Sequence, residues 1–67
     1  MYSVYLIDSN GKGSYLSVRG KADWKTKRIA VKHAMDIKEA IDKGLNIRNI
    51  VAVEVQNEFG ELVRRIN

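Results

Sequence analysis

The sequence predicts an α+β domain of order ββαββ, with one helix packed on one face of a four-stranded antiparallel sheet. Three observations carry this expectation. Four short segments rich in β-branched and aromatic residues fall into two pairs, each joined by a turn containing asparagine and glycine. Between the pairs stands one stretch with helical apolar spacing, followed by Gly44. A single helix between two hairpins buries its apolar stripe most simply on one face of a common sheet.

Residues 2–8, YSVYLID, read as a strand with apolar residues on both faces: Tyr2, Val4 and Leu6 on one, Tyr5 and Ile7 on the other. That pattern suits a central strand. Asn10-Gly11-Lys12-Gly13 supplies the positive φ angles of a tight hairpin. The return strand is expected over Ser14–Arg19, with Leu16 and Val18 inward and Tyr15, Ser17 and Arg19 outward. Gly20 closes it. Asp23 is the expected helix N-cap, because its carboxylate can accept free amide hydrogens of the first turn.

The helix is expected to run to Lys43, with Gly44 as the left-handed residue beyond its end and Leu45 folding back. Ala30, Ala34, Ile37 and Ile41 form its core stripe, and Arg28, Lys32, Asp36, Glu39 and Lys43 its polar side. After a loop at 45–49, Ile50–Val55 is the strongest strand signal, with Val51, Val53 and Val55 on one face. The turn Asn57-Glu58-Phe59-Gly60 leads into a last strand, Leu62–Ile66, whose Arg64 and Arg65 suit an exposed edge.

Size and composition set limits. The 67 residues are expected to form one domain, 1–67, and a chain this short buries only about 60% of its unfolded surface. There is no cysteine and one histidine, His33, so disulfides, thiol chemistry and a Cys-ligated metal are excluded. No cofactor or metal site is expected, and self-association is the remaining reinforcement. The absence of a signal-like start and of a long apolar run points to a cytoplasmic protein with no membrane contact.

Charge is unevenly spread. Residues 1–34 hold seven Lys/Arg against two acids, whereas residues 35–67 hold five against six. The basic residues Arg19, Lys21, Lys25, Lys27, Arg28 and Lys32 gather around the only tryptophan, Trp24. A one-sided positive field favours anionic partners. If the helix begins at Asp23, then Trp24, Val31 and Met35 align on it, about 100° round from the core stripe. Such an apolar strip beside cations suits a protein partner with an anchored aromatic and a charged rim. The expected partner-binding set is therefore Arg19, Lys21, Trp24, Lys25, Lys27, Arg28, Val31, Lys32 and Met35.

The sheet face opposite the helix offers a second surface. Tyr15, Ser17 and Arg19 are expected there, joined by Tyr5 if the hairpin register puts it on the same side. Aromatic and basic residues on an open sheet are used by modules that stack single-stranded nucleic acid, while paired tyrosines also serve plain cross-strand packing. Gly11-Lys12-Gly13-Ser14 lacks phosphate-loop spacing and leads into a strand. His33 is expected to be a packed residue, and Asp36 and Glu39 to be salt-bridged. Without a nucleophile–base pair or a cleft, no catalytic residue is expected and the chain reads as a non-enzyme.

The size, the cysteine-free lysine- and isoleucine-rich composition and the ββαββ plan resemble small accessory proteins of bacterial viruses and mobile elements. That group includes inhibitors of bacterial defence systems such as anti-CRISPR proteins. The resemblance covers the plan of the whole chain and rests on no motif. It implies a phage-type inhibitor or modulator that binds a host protein or nucleoprotein complex. Two other readings stand beside it: a nucleic-acid-binding module using the basic helix start, and a homodimeric accessory protein.

Overall fold

A computed structural model describes residues 1–45 and 48–66. Its elements are β1 (Tyr2–Asp8), β2 (Gly13–Tyr15), α1 (Lys27–Asp42), β3 (Ile50–Asn57) and β4 (Leu62–Arg65). The strands form one antiparallel sheet in the order β2-β1-β3-β4, with α1 packed on one face. This is the expected α+β, ββαββ architecture. Of the loop expected at 45–49, residues 46 and 47 lie outside the described residues. Among those described, no helix is long and apolar enough to cross a membrane.

The two central strands supply the floor of the core. Val4 lies opposite Val55 and Leu6 opposite Val53, and all four are buried under α1. Ala30 and Ala34, both wholly buried, let the helix backbone approach this floor closely. Trp24 and Ile50 complete the buried apolar set.

Each hairpin uses the same turn. The Asp8 Oδ1 atom accepts from the amides of Asn10 and Lys12, and Asn57 Oδ1 accepts from those of Phe59 and Glu61. The Asp8 and Asn57 amides in turn donate to the Lys12 and Glu61 carbonyls, at 2.9 and 3.0 Å. Gly11 (φ 82°) and Gly60 (φ 77°) occupy the left-handed position that closes each three-residue loop. One short side-chain acceptor and one glycine, three residues apart, thus make both ends of the sheet.

The structure corrects three local expectations. First, β2 ends at Tyr15; after a single further ladder bond, Leu16 N–H to the Val4 carbonyl, residues 17–23 leave the sheet. They fold into a two-residue turn in which Val18 and Lys21 exchange both backbone hydrogen bonds across Arg19 (φ 53°) and Gly20 (φ 79°). Ser17 and Arg19 are therefore not on the sheet face.

Second, the helix starts at Lys27, not Asp23. Trp24 pairs with Tyr2 through two 2.7 Å backbone hydrogen bonds, which commits it to an extended conformation. The next hydroxyl residue, Thr26, becomes the N-cap and accepts from the Ile29 amide at 3.3 Å. The other end agrees with expectation. The Leu45 amide donates to the Ala40 carbonyl and the Gly44 amide to the Ile41 carbonyl, with Gly44 at φ 80°.

Third, Val51 does not share the core face of Val53 and Val55. A bulge opposite Ile7 and Asp8 leaves Val51 as the extra residue, so Ile50 turns inward and Val51 is 55% exposed.

The packing sets two expected outcomes. Trp24→Ala should cost about 3–5 kcal/mol, enough to unfold a domain of this size, as read from the chemical-denaturation midpoint. A Cβ on Gly13 would meet the distal ring atoms of Tyr5. Gly13→Ala should thus displace that ring at a cost of about 1 kcal/mol, seen as shifted Tyr5 resonances with the sheet intact.

Candidate binding surface

The residues between β2 and α1 bring the basic cluster to the surface. Arg19 lies in the turn after β2 and Lys21 closes it, and Lys25, Lys27 and Arg28 surround the helix entry; all are exposed. The first turn of α1 contains no acid, so these cations add to the positive end of the helix dipole. Ion pairs form elsewhere: Lys38–Asp42 and Lys43–Glu39 at 3.0 Å, Lys32–Asp36 at 3.8 Å and Arg65–Glu54 at 2.5 Å. Among the described residues, Arg19, Lys21, Lys25, Lys27 and Arg28 have no such partner. Asp36 and Glu39 are each paired to a lysine, as their spacing suggested.

Trp24 does not belong to the exposed strip expected of it. It is 6% exposed and its ring lies 4.5 Å from that of His33, with 31° between the planes. Val31 and His33 stand two positions apart on α1, about 200° round the axis. Trp24 therefore seals one flank of the helix, while Val31 and Met35 lie on the other. The physical cause is the pairing with Tyr2, which takes Trp24 off the helix and turns it into the core.

The outward side of α1 carries a different apolar feature. Arg28, Ile29, Val31, Lys32, Met35 and Asp36 line a shallow groove in which Met35 is 50% and Ile29 43% exposed. Sequence reasoning missed Ile29. Its signal was an isoleucine about 100° off the core stripe on the side away from Val31. Of the expected set, Arg28, Val31, Lys32 and Met35 are brought together in this groove; Arg19 and Lys21 sit on the separate turn.

On the outer sheet face, the register pairs Tyr5 with Tyr15, so both tyrosines point away from the helix. Their ring centroids are 4.9 Å apart, tilted by 58°. The Tyr15 hydroxyl reaches across β1 and donates to Gln56 Oε1 at 2.9 Å. Glu54, opposite Tyr5, accepts from Arg65 Nε at 3.2 Å and from its Nη2. Among the described residues, no three of His, Cys, Asp and Glu cluster as metal ligands. Comparison with protein-family models, with curated proteins and with solved structures finds no match, so the reading of this surface rests on its own chemistry.

Proposed function

We propose that this chain is a small non-catalytic protein that docks on a macromolecular partner, a protein or nucleoprotein complex, in the manner of a phage-type inhibitor or modulator. The docking surface is the outward side of α1 together with the basic segment leading into it. One observation carries the reading: half-exposed Met35 and Ile29 share a groove with the unpaired guanidinium of Arg28. Apolar anchors beside unpaired cations match an interface with an acidic rim.

The turn supports the same reading. Arg19 adopts a left-handed conformation that costs a side-chain-bearing residue about 1 kcal/mol, so the backbone alone would favour glycine there. Trp24 acts here as the fixture that presents the surface, not as its anchor. A second reading, phosphate binding, is favoured by the convergence of Lys25, Lys27 and Arg28 on the acid-free helix start.

Two measurements test these readings. In affinity capture from the native host lysate, the wild-type chain should retain a partner after nuclease treatment. An Arg28→Glu/Met35→Asp double variant with an unchanged melting transition should lose it by at least about tenfold; retention by the variant would remove the proposed surface. For phosphate binding, a gel-shift affinity that falls steeply between about 50 and 200 mM salt would transfer the surface to nucleic acid. The docking reading expects no shift even at the lower salt.

A further inference from the structure

We infer that the outer face of the sheet is the contact surface for a second copy of this chain, giving a symmetric dimer with the helices outermost. The face is built flat. A tyrosine standing upright on β2 could not reach β3, because β1 lies between them and neighbouring strands are about 4.8 Å apart. The bond from Tyr15 to Gln56 therefore lays the Tyr15 ring along the sheet. Tyr5 leans the other way and covers Gly13, where the absence of a Cβ gives it room. On this side Glu54 is 8% and Gln56 9% exposed, although none of the described elements covers it.

The face is also neutral. Its one acid and one base, Glu54 and Arg65, satisfy each other. Ile7, Ala52 and Leu62 share the face by register with Gly13, Ser3 and Gln56, and Leu62 is 56% exposed. In a chain that is 30% charged with a net charge of +4, a face whose described strand residues carry no unpaired charge stands out. A polyanion would gain nothing here, and the carboxylates of Asp23 and Glu58 border the hollow beside Tyr15.

A second copy fits on charge grounds. Like-charged molecules associate most easily through a neutral side that keeps their charged sides apart. With sheets packed about 10 Å apart, and each helix on the far side of its own sheet, the two basic helix entries lie well beyond the ~8–10 Å screening length. Pairing would also relieve the small core of a 67-residue domain.

Sedimentation of the full chain from about 10 µM to about 1 mM tests this. The mass should rise from 7.6 kDa toward twice that value, and equally at about 0.1 and 1 M salt, because the contact is neutral. Leu62→Lys, at a 56% exposed edge position outside the buried core, should weaken association at least about tenfold while leaving the melting transition in place. Arg28→Glu, on the opposite side, should leave the dimer unchanged, which separates this inference from the docking surface above. A 7.6 kDa species at every concentration would overturn it. So would a dimer lost at high salt, one indifferent to Leu62→Lys, or tyrosine fluorescence quenched by single-stranded oligonucleotide.

Discussion

The two hydrogen bonds between Tyr2 and Trp24 govern the rest of the molecule. They return the chain to the edge of β1 after residues 17–23 have left it, so Trp24 takes the place along β1 that a longer β2 would have filled. The indole is then delivered under the helix, where it meets His33 and closes one end of the core. The helix cannot begin until this pairing ends, which makes Thr26 its cap and exposes Lys25, Lys27 and Arg28 together at its entry. One pair of backbone bonds thus joins sheet edge, core and basic surface.

The molecule divides its surface by charge. The helix side gathers unpaired cations and half-buried apolar groups; the opposite side is flat, aromatic and internally neutralised. The division follows from layering, because a single helix can cover only one face of a four-stranded sheet. The uncovered face must then satisfy its polar groups within itself. It does so through Glu54–Arg65 within the second hairpin and through Tyr15–Gln56, which joins strands 41 residues apart in sequence. Two surfaces of such different chemistry suit two different contacts, one with a foreign partner and one with a copy of the chain.

Much of the plan was legible in sequence because it rests on local rules. Asp8 with Gly11 and Asn57 with Gly60 define turns through contacts at most four residues apart. Gly44 stops the helix through its own backbone freedom, and the alternation of Val53 and Val55 marks a core face. The cations at 19–32 were visible as surface, since nothing in a small core can bury them. What misled was Trp24. Helical spacing aligned it with Val31 and Met35, yet a partner twenty-two residues away in sequence set its conformation. The bulge at Val51 was hidden for the same reason, because it depends on which strand lies opposite; Ile29 was missed although helical spacing alone places it off the core stripe.

The sequence by itself determined the element order, the two hairpins, the helix end and the one-sided charge, all consequences of periodicity, turn chemistry and composition. Only the tertiary structure decided where the helix begins, which way Trp24 and Val51 point, and that Tyr5 and Tyr15 share a face. Those depend on strand register and on backbone pairing between distant residues, and a shift of one position in either would move a side chain from core to solvent.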